Sequence, residues 1–312
     1  MKKISVIITL YNEELIVPCV VSILSQTLKP DEIIVVDDCS TDGSVELIKN
    51  LPVTLLKTDR NSGPVVGKNI GIANSKGDLL VFVDADCLLF SDWIECAAEA
   101  IELGYDGITG LCIPADDLHF PTKLMWCASL HTIEGIVTTK DTLSTSNCMY
   151  KREIIEKCGS FDETDDRGLT IKARSYGYRL GINSQCKSNH YSSRSFFHAL
   201  KKDFSYGLQE NPFRLHKRSR GFNVKRFIFS LSIITSIILA FIHKYFIFFA
   251  PLLFLFYYLK NYKIIIHSWS YVGVCCILLP FIKMIKIMVW SMGVLISPIV
   301  SSKKAKIIYR DL

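Results

Sequence analysis

The chain has 312 residues, a hydrophobic content of 49% and a formal net charge of +6. This length and apolar content are enough for one large domain or two smaller ones. The charge is uneven, because residues 1–193 carry 18 basic and 27 acidic residues, whereas 194–226 carry nine basic and two acidic ones. The basic block adjoins a long apolar segment and follows an acidic body, which argues against nucleic-acid binding and favours a membrane surface as its partner.

The first third of the chain alternates between apolar runs and amphipathic segments. The pattern predicts strands at 4–9, 32–36, 53–58 and 78–83, alternating with helices that end near residues 27, 50 and 74. Ser40 or Asp42 is the expected N-cap of the second helix. Such alternation is typical of a doubly wound α/β fold with a mainly parallel sheet. Its ligand would lie at the carboxyl ends of the strands, where Tyr11, Asp38, Asp84 and Asp86 follow.

The loop after the first strand excludes a dinucleotide fold. It reads TLYNEE at residues 9–14, with no glycine where G-x-G-x-x-G would be needed. The chain has no G-x-x-x-x-G-K-[ST] motif either. A nucleotide at this sheet edge would therefore be held by side chains and a metal ion.

The fourth strand ends in two carboxylates one residue apart, Asp84 and Asp86. Without a basic neighbour in sequence, they repel each other unless a cation lies between them. Mg²⁺ prefers oxygen ligands and often shares its shell between carboxylates and substrate phosphates. An ordinary acidic turn after a strand is the alternative interpretation.

The eleven cysteines form no C-x-x-C pair. We expect reduced thiols in core positions, with no disulfide and no zinc site. The apolar run at the N-terminus is too short for a signal peptide.

The second half of the chain predicts membrane helices. A basic collar at 211–226 precedes residues 227–262, which are too long for one upright span and are expected to form a transmembrane hairpin around His243 and Lys244. Basic residues at both ends place those ends in the cytoplasm, so a multi-pass protein of the cell membrane with a cytoplasmic catalytic domain is expected. Residues 263–312 would form a membrane-associated segment and a cytoplasmic tail, the apolar part lying in the interface as a helix or crossing as a second hairpin.

Taken in order, the motifs of the body resemble those of the family 2 glycosyltransferases of the GT-A fold. They are VIITLYNEE at 6–14, IIVVDDCSTDGS at 33–44, NSGP at 61–64, KNIGIA at 68–73, FVDAD at 82–86, Asn147, CGSFDE at 158–163, DD at 165–166 and KARSYGYR at 172–179. The resemblance covers about residues 1–210. It implies a GT-A (Rossmann-like) catalytic domain at 1–210, followed by the membrane helices.

The resemblance also implies roles for individual residues. Nucleotide-sugar binding falls to Tyr11, Glu13, Asp38, Lys68 and Asp84, metal binding (Mg²⁺ or Mn²⁺) to Asp86 with His190 as a third ligand, and general-base catalysis to Asp166 or its neighbour Asp165. Gly168 departs from the family, which often has an acidic residue there.

The implied function is inverting transfer of a sugar from a nucleotide-diphospho-sugar to a hydroxyl or phosphate of a lipid-linked or membrane-proximal acceptor. A processive synthase would carry Gln-x-x-Arg-Trp before its membrane helices, whereas Gln209 is followed by ENPF. A single addition is therefore expected. A catalytically inactive membrane scaffold is the alternative from another class. A nucleotidyltransferase would need a glycine- and arginine-rich phosphate loop, which residues 9–14 do not provide.

Overall fold

A computed structural model describes residues 2–115, 117–128, 133–139, 142–161, 165–191, 195–209 and 271–296, with isolated positions between 228 and 268. The chain divides into two compact units, residues 1–113 with 133–192 and residues 114–132 with 193–312. The second unit takes in a segment, 114–132, that lies inside the span predicted as the 1–210 domain. The limits of that domain stay a prediction.

The first unit alternates strands and helices along most of its length. In chain order its elements are β1 (Ile4–Leu10), α1 (Ile16–Leu24), β2 (Glu32–Asp37), α2 (Ser44–Ile48), β3 (Thr54–Lys57), α3 (Pro64–Asn74), β4 (Leu79–Asp84), β5 (Cys87–Leu89), α4 (Trp93–Glu102), β6 (Gly107–Ile113), β7 (Ile136–Thr138), β8 (Asn147–Lys151), α6 (Arg152–Cys158), α7 (Asp165–Ser175) and β9 (Leu180–His190). In the second unit the described helices are α5 (Phe120–Cys127), α8 (Phe196–Gln209), a 3-10 helix (Gly273–Leu278) and α9 (Leu279–Ile296).

One mixed sheet runs through the first unit, and its described strands follow the order β3-β2-β1-β4-β8-β6-β9-β5, with β7 also paired to β9. The half made of β3, β2, β1 and β4 is parallel throughout, as the alternation of strands and helices predicts. In the other half β6 and β9 are parallel, whereas β8, β5 and β7 pair with their neighbours antiparallel. The predicted α/β class with a mostly parallel central sheet is confirmed.

The apolar runs of the parallel strands follow from burial on both faces of the sheet. Along β1, Val6 and Ile8 point into one core cluster with α1 and α4, while Ile7 points into another cluster with α3, α6 and α7. A Cβ on Gly67 of α3 would lie 2.8 Å from the side chain of Thr9. The helix can therefore lie close to the sheet only with glycine at that position.

The second helix begins differently from the prediction. Its N-cap is Gly43 in a left-handed conformation, with φ of 85°, rather than Ser40 or Asp42. The Asp42 carboxylate accepts the backbone N–H of Ser44, and the Ser40 hydroxyl accepts that of Asn12. Both polar side chains are thus used in loop contacts, and glycine supplies the positive φ that the turn requires.

In the second unit, α9 packs against α5 and α8 around an apolar cluster that includes Leu124, Cys127, Cys276 and Leu279. Within the described part of the chain, one helix, Val274–Met292, is long and apolar enough to cross a membrane. One such helix does not support the predicted multi-pass topology. The collar at 211–226 lies outside the described residues, and so does the hairpin at 227–262 except for isolated positions. Since α9 continues without a turn from Leu279 to Ile296, no hairpin bend falls within it.

Candidate active site

Asp84, Asp86 and His190 come together at the carboxyl end of β4 because of how β4, β5 and β9 are arranged in the sheet. Asp84 is the last residue of β4, and Asp86 immediately precedes β5. β5 lies antiparallel to β9 with Cys87 opposite His190, so the imidazole lies beside the second carboxylate. Nε2 of His190 is 3.1 Å from Oδ1 of Asp86 and 4.0 Å from Oδ2 of Asp84.

These three side chains form a candidate metal site. One ligand atom from each lies within 4.8 Å of the other two, and all three residues are half-buried. Two carboxylate oxygens and one imidazole nitrogen are ligands that a divalent cation accepts. The imidazole favours a transition ion over Mg²⁺, whose preferred ligands are oxygens. The residues present therefore fit a divalent cation, and the assignment of Asp86 and His190 as its ligands stays a prediction.

The electrostatics of His190 are dominated by the same carboxylates. Burial lowers the pKa of His190, but the charge of Asp86, its hydrogen bond and the Cys112 thiol together raise that pKa well above the ordinary value of 6.5. A proton and a divalent cation are therefore alternative partners for the same pair of carboxylates.

A buried polar network backs the imidazole on its other side. The Cys112 sulfur, on β6, lies 3.9 Å from Nδ1 of His190 and accepts from Nδ2 of Asn147 at 3.6 Å and from the Ser188 hydroxyl at 3.7 Å. Its hydrogen bond with Cys87 and its contacts with His190 lower the pKa of the Cys112 thiol, although burial opposes this. Sequence analysis did not single out Cys112 or Ser188.

Asp38 lies at the end of β2, at the edge where a nucleotide was predicted, but its carboxylate is already engaged by the protein. It is 4% exposed and accepts the Thr58 hydroxyl at 2.8 Å and the backbone N–H groups of Ser62 at 2.8 Å and Gly63 at 2.6 Å. These bonds fix the loop that leads into α3. The predicted contact with the base would add to this anchoring role and stays a prediction.

The loop after β1 is tied to the loop after β2. Thr41 donates its backbone N–H to Oδ1 of Asn12 at 2.7 Å, and Glu13 donates its own to the Ser44 hydroxyl at 3.0 Å. Asn12 and Cys39 adopt positive φ angles of 47° and 64°, conformations that tend to cluster at functional sites. Tyr11 stands at this junction with 48% of its surface exposed.

Lys68 is buried on α3 rather than displayed at the surface. Its ammonium group donates to the Thr145 hydroxyl and lies 5.4 Å from the centroid of the Phe161 ring. Ser146, which follows Thr145 in the chain, accepts the backbone N–H of Asp84 with its carbonyl oxygen at 3.3 Å. Lys68 is thus brought to the segment that borders the two carboxylates, which is compatible with its predicted place near the sugar nucleotide.

Residues 5–159 match the family model of glycosyl transferase family 2. This part of the chain is a family 2 glycosyltransferase domain. The matched residues contain Tyr11, Glu13, Asp38, Lys68, Asp84 and Asp86, whereas Asp165, Asp166 and His190 lie beyond them.

Relatives of the glycosyltransferase domain come from different organisms. The chain is 27% identical over 223 residues to the glycosyltransferase AglE of Haloferax volcanii, covering 65% of this chain and 71% of that one. It is 24% identical over 226 residues to the poly(ribitol-phosphate) beta-N-acetylglucosaminyltransferase TarS of Staphylococcus aureus, covering 65% of this chain and 36% of that one. The chain thus spans only about a third of the length of the second relative.

A solved structure shares the fold of the glycosyltransferase domain. It is GalNAc-T7 with UDP, GalNAc and Mn²⁺, which superposes with a TM-score of 0.50 at 17% identity over 67% of this chain and 50% of the other. At this identity the likeness establishes the GT-A-like fold alone.

The two predicted general bases are the first residues of α7. Their side chains are outside the described part of the structure, so the choice between Asp165 and Asp166 stays a prediction. Behind them, α7 is fixed by the buried side chains of Leu169 and Ala173 in the core of the glycosyltransferase domain.

The network residues that sequence reasoning missed share one property. Cys112 contacts partners 35, 76 and 78 residues away in the chain. No local spacing marks such contacts, because they depend on how β6 pairs with β8 and with β9. Polar residues at the ends of the apolar runs of β6 and β9 were the available pattern, and it is too common to identify a site.

Proposed function

We propose that this protein transfers a sugar from a nucleotide-diphospho-sugar to a hydroxyl or phosphate of an acceptor at the membrane, with a divalent cation bound by Asp84, Asp86 and His190. The observation that carries the proposal is the convergence of these three side chains at the carboxyl edge of a family 2 glycosyltransferase domain. Mn²⁺ fits this mixed oxygen and nitrogen ligand set better than Mg²⁺.

The chemistry is a single displacement at the anomeric carbon. A bound cation would stabilise the charge that develops on the nucleoside diphosphate as it leaves. Asp84, Asp86 and His190 hold that end of the donor, and Tyr11 and the Asp38 loop border the base. Asp166, or Asp165, removes the proton of an acceptor hydroxyl from the opposite side, which inverts the anomeric centre.

A membrane-bound acceptor is supported by the second unit. Val274, Ile277 and Leu278 of the 3-10 helix and Phe281 and Met292 of α9 are exposed apolar side chains. A group of exposed apolar side chains such as the four at 274–281 marks an interaction with a membrane or another protein. The basic collar predicted at 211–226 favours the membrane, and with it a lipid-linked acceptor.

The test is nucleotide release by purified protein in detergent with Mn²⁺ or Mg²⁺ and a panel of UDP-, GDP- and dTDP-sugars. Release from one donor that depends on the cation and is abolished by Asp86→Ala is the expected result. Asp92→Ala, which removes an exposed carboxylate that makes no capping bond, is the matched control and should keep wild-type release. Failure of every donor both to bind and to react in the presence of the cation would overturn the proposal in favour of an inactive scaffold.

A further inference from the structure

The sulfur of Cys112 lies behind His190 with respect to the two carboxylates. Nδ1 of the imidazole is 3.9 Å from that sulfur, and Nε2 is 3.1 Å from the Asp86 carboxylate. We infer that Cys112 is a positioning residue, whose sulfur accepts the Nδ1–H and so holds Nε2 toward Asp84 and Asp86 as a metal ligand. The inference rests on the proposed cation site.

The contacts of the sulfur support a role as acceptor. Nδ2 of Asn147 and the hydroxyl of Ser188 both donate to it. The Ser146 hydroxyl, 3.8 Å away, is available to accept the thiol's own hydrogen, and it also lies 2.9 Å from the Ser144 hydroxyl. The sulfur can therefore accept from His190 without competition from its own S–H. A histidine ligand needs such a partner on its second nitrogen, because that bond fixes both the tautomer and the ring orientation.

The orientation of Asn147 is itself determined by the network. Its amide oxygen accepts the Thr109 hydroxyl at 3.1 Å, which turns its NH₂ group toward Ser188 and Cys112. Asn147 is fully buried. Because the donors come from strands rather than from loops, the sulfur is held on a rigid frame.

The backbone explains how these side chains reach one another. Cys112 of β6 pairs with Ser188 of β9, and Ser188 and His190 are two residues apart, so all three side chains lie on one face. The register between the two strands shifts after Gly110, where Asn183 gives way to Lys187 as the next partner on β9. Irregularities of this kind re-aim the side chains that follow them and are common beside active sites.

Cys87 also contacts the Cys112 sulfur, as a free thiol hydrogen-bonded to it and not as a disulfide partner. Cys87 pairs with His190 from β5, on the opposite side of β9 from β6.

The experiment measures the affinity for Mn²⁺ by the electron paramagnetic resonance of the free ion, with the cation alone and with UDP, GDP or dTDP. Wild type, Cys112→Ala, Cys112→Ser, Asp86→Ala and His190→Ala are compared, together with the double variant of Cys112→Ala and His190→Ala. Cys148→Ala is the control, since this fully buried cysteine belongs to the core cluster that packs against α3, α6 and α7. Thermal unfolding without metal verifies that each variant is folded.

We expect Cys112→Ala to raise the Kd for Mn²⁺ by about tenfold or more in the wild-type background and by less than about twofold in the His190→Ala background. Cys112→Ser restores an acceptor and should bind Mn²⁺ more tightly than Cys112→Ala, while Cys148→Ala should match wild type. Unchanged binding in Cys112→Ala, equal losses in both backgrounds, or equal affinities of the Ser and Ala variants would each overturn the inference. If wild type itself bound no Mn²⁺ under any of these conditions, the cation site of the proposed function would fail first and the inference with it.

Discussion

The parallel and mixed halves of the sheet contribute to the site in different ways. In the parallel half, the carboxyl ends of β1, β2 and β4 lie side by side, and polar residues follow each of these ends directly in sequence. In the mixed half, His190 lies beside Asp86 only because β5 pairs with β9. Cys112 of β6 contacts His190, and Asn147 of β8 donates to the Cys112 sulfur. The first half therefore supplies residues that a linear motif can reveal, and the second supplies residues that only strand pairing brings into place.

The largest expected effect comes from the parallel half. Asp86→Ala should lower the rate of nucleotide release by about 10³-fold, equivalent to about 4 kcal/mol, because the charge of the leaving diphosphate loses its stabilising cation. Steady-state release with the preferred donor measures it. A loss no larger than that of Asp92→Ala would show that the carboxylate does not take part in the reaction.

The mixed half is tested by His190→Ala. We expect the Kd for Mn²⁺ to rise by about 100-fold, while Asp84 and Asp86 retain weak binding. Loss of a residue that only supports a metal ligand raises the Kd by up to about 100-fold, so loss of the ligand itself should cost at least as much. Electron paramagnetic resonance of free Mn²⁺ measures the change. An unaltered Kd would mean that the parallel half binds the cation without help from β9.

Asp38→Ala distinguishes loop anchoring from nucleotide contact in the parallel half. The variant leaves two backbone N–H groups and the Thr58 hydroxyl without their acceptor, so the free energy of unfolding should fall by about 2 kcal/mol. Thermal or urea unfolding measures the loss, with Asp59→Ala as the control, an exposed residue in the loop between β3 and α3 that Asp38 anchors. If stability were unchanged while nucleotide binding was lost, the carboxylate would serve the ligand alone.

The smallest effect is expected from a change in the packing of α3, the helix that carries Lys68, against β1. In Gly71→Ala the added methyl group would meet the Ile7 side chain and push α3 away from β1. The cost to the free energy of unfolding should be about 1–2 kcal/mol, typical of an overpacked core. Urea unfolding compared with Asn74→Ala, an exposed position at the end of the same helix, measures it. Equal stability of the two variants would show that the helix can shift without loss.

Much of the parallel half could be predicted from the sequence, and the reason is physical. Strands buried on both faces appear as continuous apolar runs, so the ends of β1, β2 and β4, and the carboxylates that follow, can be located without a structure. The position of β8 between β4 and β6 could not, because antiparallel pairing over 60 residues of chain leaves no periodicity in either segment. His190 was identified by family resemblance, and Cys112 by neither pattern nor resemblance.

Small features of loops also escaped prediction. Ser40 and Asp42 are good N-cap types, yet the chain caps α2 with Gly43 and uses both side chains to bind neighbouring backbone. Propensity ranks residue types for a role. It does not record which competing hydrogen bond a neighbouring loop offers.

The ends of the sheet also bear on how the protein behaves at high concentration. At one described edge β3 has four residues, Thr54–Lys57, and at the other β5 and β7 have three each, Cys87–Leu89 and Ile136–Thr138. An unpaired edge is a template for strands of other molecules, and very short edge strands are one means by which proteins prevent such pairing. The sheet therefore offers other copies of the chain little length on which to add a strand, a protection against aggregation that complements the solubilising charge of Lys57.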